Sequence, residues 1–135
     1  MTAKHLKILN VKRSDYVSYY NRAKDFYEGM VDAEKNSLWN TLGLTAVHCA
    51  ISLTDALTVY FLGSRSSGED HQQAADLLKK IPAENAPQYS HKLKLIIAKK
   101  NAIAYDEREF YKKESQEIFK QTIRYYAWGM AQFPK

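Results

Sequence analysis

Cysteine is almost missing from this 135-residue chain, where Cys49 stands alone. One thiol excludes an internal disulfide and any metal site built from several cysteines. Glycine (5) and proline (3) are scarce as well, which argues against a sheet protein that needs many tight turns. The histidines, His5, His48, His71 and His91, are far apart, and none has the pairing of a helical metal site. Gly63 and Gly68 flank Ser64-Arg65-Ser66-Ser67 without the Lys-Ser/Thr of a phosphate-binding loop. No metal and no cofactor is therefore expected. No apolar run reaches ~18 residues without a polar interruption, so a membrane span is not expected. The opening stretch is basic but has neither an apolar h-region nor a cleavage site. The expected location is cytoplasmic.

What is present is an ordinary globular balance, 45% apolar and 26% charged, with ten tyrosines. The length suits one domain over residues 1–135, with a core at about 14–131. Formal net charge is +5. Residues 1–87 carry ten bases and ten acids, and residues 88–135 carry ten bases and five acids, so the whole excess lies in the second part. Such a local field favours anionic partners such as phosphates or RNA. A solvated helix face is the plainer reading of the same residues.

Helical periodicity dominates the chain. Residues 14–34 place Tyr16, Tyr19, Tyr20, Ala23, Phe26, Tyr27, Met30 and Val31 at three- and four-residue spacing, with Ser14 as N-cap. Residues 38–62 are the most apolar, with Ser37 as cap and Gly63 as the terminating residue. A polar loop follows, then a short helix over 69–81 that stops at Pro82. Residues 90–104 carry Leu93, Ile96, Ile97 and Ile103, with Ser90 as cap. Residues 110–132 carry Phe119, Ile123, Tyr126 and Met130 on one face. No alternating pattern is long enough for a strand. The expected fold is all-α, an antiparallel four-helix bundle with a short additional helix. The 38–62 helix is apolar nearly all round and should be central. Its excess of apolar surface makes a homodimer the expected state.

That apolar helix carries an anomaly. Thr41, Thr45, His48, Ser52 and Asp55 follow at steps of 4, 3, 4 and 3, which puts all five on one stripe. A helix so apolar is expected to be flanked on most sides, so the stripe should face protein or a cleft. A buried Asp55 needs a cation or hydrogen-bond donors. His48 has the chemistry of an acid or base near neutrality. The structural alternative is that the hydroxyls bond carbonyls one turn back and Asp55 pairs with an Arg or Lys. Cys49, amid apolar neighbours, reads as an inert core thiol.

The 90–104 helix supplies a complement. Its apolar stripe leads to Lys100 at the inner edge, and Asn101 and Tyr105 share one side of its end, with Arg108 beyond. Lys100, Asn101, Tyr105 and Arg108 are a compact donor set suited to phosphate or carboxylate. An equal reading is that Lys100 snorkels, its stem packed and its head wet.

The order of elements resembles the HEPN domains (higher eukaryotes and prokaryotes nucleotide-binding). A tyrosine-rich helix precedes "TAVHCAISLTDALTVYFLG", then "RSSGEDHQQAADLLKKIP", then "KNAIAYDEREF", then a long aromatic helix. The resemblance implies a helical bundle, usually dimeric, and RNase- or toxin-like relatives paired with a nucleotidyltransferase antitoxin. The RNase hallmark is Arg, often Asn, then His four to six residues after the Arg. Here the stretch is Lys100-Asn101-Ala102-Ile103-Ala104-Tyr105, and only Asn101 matches. Lysine keeps the charge without the bidentate fork, and a tyrosine is a poor base at neutrality. The resemblance thus implies binding of RNA, a nucleotide or a partner protein, with weak or absent ribonuclease activity. An enzyme would be a metal-independent endoribonuclease, with His48 or Tyr105 as catalytic residues and Lys100, Asn101, Arg108, Asp55 and Ser52 as phosphate or ligand contacts. The alternative is a purely structural or interaction module, the helical half of a toxin–antitoxin-like nucleotidyltransferase pair. Arg65 and His71 also show an Arg-x5-His spacing. They lie away from the family position and are read as a chance match, although a bundle could bring Arg65, Asp70 or His71 near the dimer cleft.

Overall fold

The computed structural model describes residues 7–67, 71–105 and 111–134, with side chains up to residue 100 in the fourth helix. The described chain is mostly helical, with five α-helices and a small two-stranded sheet. A 3-10 turn at Arg13–Asp15 leads into α1 (Tyr16–Lys35). α2 (Trp39–Leu62), α3 (Gln72–Leu78), α4 (Ala86–Tyr105) and α5 (Lys112–Met130) follow.

The strands are a correction to the sequence reading. β1 (Ile8–Asn10) pairs antiparallel with β2 (Ser64–Ser66) in the register Ile8 to Ser66, Leu9 to Arg65 and Asn10 to Ser64. The ribbon is closed by Val11 N–H to the Gly63 carbonyl and Ser67 N–H to the Lys7 carbonyl, both 2.9 Å. Three residues are too few to show a two-residue period, so the ribbon left no trace in the pattern.

The helix ends also differ in part. Ser14 lies in the 3-10 turn, and neither it nor Ser37 caps a helix, since Asp15 and Leu38 hold those positions without side-chain cap bonds. Ser37 instead takes a left-handed turn, at φ 56°. Gly63 does end α2, at φ 67° with its N–H bonded to the Val59 carbonyl. α4 begins four residues before Ser90, with Pro87 in its first turn, where the missing N–H costs nothing. Ser90 is buried, and its hydroxyl donates to the Ala75 carbonyl at 2.6 Å, joining α3 to α4.

α2 is the central helix. It packs against α1, α3, α4, α5, the 3-10 turn and β2, and more than half of its residues are buried. By length and composition alone it could cross a bilayer, a test that the core helix of a soluble protein also passes, and 72% of its most apolar window is buried here. The core gathers Met30 from α1, Leu42, Val47, Leu53 and Leu57 from α2, Leu78 from α3, Leu93, Ile96 and Ile97 from α4, and Ile118 and Tyr125 from α5.

The face that α5 buries is Ser115, Ile118, Thr122, Tyr125 and Gly129. The expected set of Phe119, Ile123, Tyr126 and Met130 lies one residue round, half-buried at the edge. Small and polar residues on the buried face explain the offset. A Cβ on Gly129 would lie 2.6 Å from Leu53 Cδ2, so glycine allows α5 to close on α2. Ser115 Oγ donates to the Trp39 carbonyl at 2.8 Å. Thr54 Oγ1 donates to the Ala50 carbonyl at 2.7 Å, which leaves the Tyr125 hydroxyl to donate to Thr54 Oγ1 at 2.5 Å. Burial pushes the Tyr125 hydroxyl far above the usual tyrosine range, against the opposing effect of the Thr54 hydrogen bond.

Candidate functional site

The polar stripe of α2 is neither fully buried nor fully flanked. Thr41 and His48 are exposed, Thr45 and Asp55 are intermediate, and Ser52 is buried. The stripe therefore opens to solvent over its first half and passes under protein over its second. Thr45 Oγ1 donates to the Thr41 carbonyl at 2.7 Å, as the structural alternative requires. α1 runs alongside, with Gly29 facing the Thr45 methyl; a Cβ there would lie 3.6 Å from it, an ordinary contact.

His48 lies on Phe26 of α1, ring centroids 5.3 Å apart and planes 27° from parallel. Its pKa is lowered, first by partial burial of the ring and then by the positive charge of Lys100. The imidazole is thus held neutral at pH 7 and can accept a proton or a hydrogen bond. Lys100 of α4 is close enough to the exposed end of the stripe for its charge to act on His48. Lys100 itself is partly exposed, as a snorkelling lysine would be.

Asp55 lies two helical turns further on, about 10 Å along the axis at 1.5 Å per residue. Burial is the dominant influence on it and pushes its carboxyl up to about 7, while Arg65 and then Arg22 pull the other way. Both guanidiniums lie over the ring of Tyr19, at 5.8 Å for Arg65 and 5.5 Å for Arg22. Arg65 donates to the Ser66 carbonyl at 3.0 Å, and its buried Nε has no hydrogen-bond partner. Asp55 thus has cations near it, as its burial demanded.

Phe26 of α1 lies on His48, Arg22 of α1 and Arg65 of β2 lie over Tyr19 and act on Asp55, and Lys100 of α4 acts on His48; this surface along the stripe is the α2 groove. Sequence reasoning missed Arg22 and Tyr19. Their one signal was the i,i+3 spacing that lets a guanidinium sit over a ring. Arg65, set aside as a chance match, belongs to the groove through its effect on Asp55. Asn101 and Tyr105 lie on α4, with their side chains outside the described residues, and Arg108 lies outside the described residues altogether. Cys49 is buried beneath the groove, its Sγ 3.4 Å from the Ala23 carbonyl, and burial pushes the thiol up to about 12. It is an inert core thiol. Among the described residues no cluster of His, Cys, Asp and Glu is fit to hold a metal ion.

No protein-family model matches this chain, and comparison with curated proteins and with solved structures gives no significant match.

Proposed function

We propose that this chain is a HEPN-like four-helix bundle of α1, α2, α4 and α5, with α3 as the additional helix. In this reading it binds RNA or a nucleotide through the α2 groove, with weak or absent ribonuclease activity. The observation that supports it is the set of cations along the stripe: Arg22 and Arg65 over Tyr19 beside Asp55, and Lys100 near enough to act on His48. Lys100, Arg22 and Arg65 contribute positive charge, and Asp55 is only partly ionised near neutrality. A phosphodiester is the anion such a groove suits, because guanidinium forks match its oxygens. Arg65 Nε is a buried donor ready for such an oxygen.

In the enzyme version His48 takes the proton from a ribose 2′-hydroxyl. The 2′-oxygen then attacks the adjacent phosphorus to form a 2′,3′-cyclic phosphate, the P–O5′ bond breaks, and the leaving 5′-oxygen takes a proton from water. No metal enters this scheme.

The test is anisotropy of a labelled single-stranded RNA against salt. Binding should weaken steeply as salt rises, and Lys100→Ala should weaken it about tenfold, the scale of one charge-assisted contact. In the same variant the His48 titration, followed by NMR, should move upward. Salt-independent binding, or none, would remove the reading. Metal-free RNA cleavage that survives in both His48→Ala and Tyr105→Phe would remove both bases.

The second reading is an interaction module that completes itself with another copy or with a nucleotidyltransferase-type partner. It is favoured by Leu38 and Leu44, 53% and 46% exposed at the start of the central helix.

A further inference from the structure

A second concavity lies between α4 and α5 and is independent of the α2 groove. It encloses about 240 Å3 and is lined by His91, Lys92 and Leu95 of α4 and by Gln121 and Arg124 of α5. Three of these five side chains are basic and none is acidic. Glu117, one turn before Gln121, is already held by Lys99 at 2.5 Å. The basic second part of the chain adds a field that draws anions toward this face.

Two further features define what would fit. Gln121 Oε1 is buried with no hydrogen-bond partner. Whichever end of that amide points inward, it lacks a partner that a ligand could supply. Leu95, 44% exposed, offers an aliphatic wall. No Tyr, Trp or Phe ring, by contrast, lines the cleft. Tyr89 and Trp128 are stacked on each other, 4.4 Å apart and 8° from parallel, and the Lys92 ammonium lies 5.3 Å from the Tyr89 ring centre. A nucleobase would find no platform here. A peptide would find an acceptor for a backbone N–H, a wall for an aliphatic side chain and cations for carboxylates.

We propose that the α4–α5 cleft is a docking site for a short acidic peptide segment, with an aliphatic side chain beside its carboxylates. A backbone N–H donates to Gln121 Oε1, Lys92 and Arg124 take the carboxylates, and the aliphatic group packs on Leu95. The volume is below that of a typical drug-sized pocket, so it suits one or two residues of a partner rather than a whole cofactor.

The experiment titrates the full 15N-labelled chain with acetyl-Asp-Leu-Glu-amide, with its neutral counterpart acetyl-Asn-Leu-Gln-amide, and with uridine 5′-monophosphate. Saturable shifts of the Gln121 side-chain NH2 and of the Lys92, Leu95 and Arg124 backbone amides are expected with the acidic peptide alone. Arg124→Ala and Gln121→Leu should each weaken binding roughly fivefold to tenfold, and neither should change RNA binding in the α2 groove by more than the lost charge accounts for. Gln121→Leu removes an unpartnered buried amide and should remain folded, which keeps the comparison sound. Equal binding of the neutral peptide, stronger shifts of these amides by the nucleotide, or no shift up to roughly 10 mM would overturn the proposal.

Discussion

Asp55 shows at the residue scale how burial and charge compete. Its carboxyl is raised from 3.8 to about 7 because burial outweighs Arg65 and Arg22. The folded chain therefore binds a proton that the unfolded chain has released between about pH 4 and pH 7. That uptake makes stability fall as pH rises across the window, with the full penalty present above pH 7. Asp55→Asn should flatten this dependence. In urea unfolding it should be more stable than the parent by about 1–2 kcal/mol at pH 8 and nearly equal at pH 4, a figure set below the full linkage value because Asp55 is only partly buried. Identical pH profiles for the two chains would show that Asp55 does not carry the penalty. The stripe that holds Asp55 was legible in the sequence, because 3.6-residue periodicity needs no knowledge of neighbours. Its solvent exposure at Thr41 and His48 was not. Which side of a helix lacks a partner depends on how many elements pack round it, and that is a property of the assembled fold.

Elements were read correctly in kind and less well in detail. The five helices and the stop at Gly63 follow from apolar spacing and one residue suited to left-handed backbone. The buried face of α5 was displaced by one residue because Ser115, Thr122 and Gly129 do not announce themselves as interior. For two of them burial is explained by what they touch, a carbonyl of α2 for Ser115 and Leu53 for the space above Gly129, whereas Thr122 Oγ1 is buried without a hydrogen-bond partner. The short β1–β2 ribbon escaped for want of length. Gly129→Ala tests the close approach directly. The new methyl must displace Leu53, which is wholly buried. Overpacking of about 1–3 kcal/mol outweighs the gain of up to about 1 kcal/mol in helix propensity. A net loss of roughly 1 kcal/mol or more is expected in urea unfolding, and a stabilised variant would mean that α5 stands further from α2.

Over the whole molecule, apolar surface and charge are unevenly distributed. Val17, Leu38 and Leu44 are each about half exposed, while the net positive charge is confined to residues 88–135. If a second copy covers the start of α2, sedimentation should show a concentration-dependent dimer. Leu44→Asp, which puts a charge at the centre of that contact, should weaken it tenfold or more, on the order of 1.4 kcal/mol. An unaltered monomer at every concentration would leave those leucines as ordinary exposed side chains. Of the two polar sets picked out from the sequence, only His48 and Lys100 are linked here, through the effect of the lysine charge on the imidazole. The guanidiniums that complete the groove come from α1 and β2, remote stretches whose meeting only the tertiary fold decides.

Arg65 stands opposite Leu9 in the ribbon, so its place beside Asp55 is fixed by backbone from the opening part of the chain. The strap at Ile8–Asn10 and a wall of the groove are mechanically one piece. Anything that loosens the strap takes a neutralising charge away from Asp55 and reaches the groove at a distance, without touching a single residue on the α2 stripe.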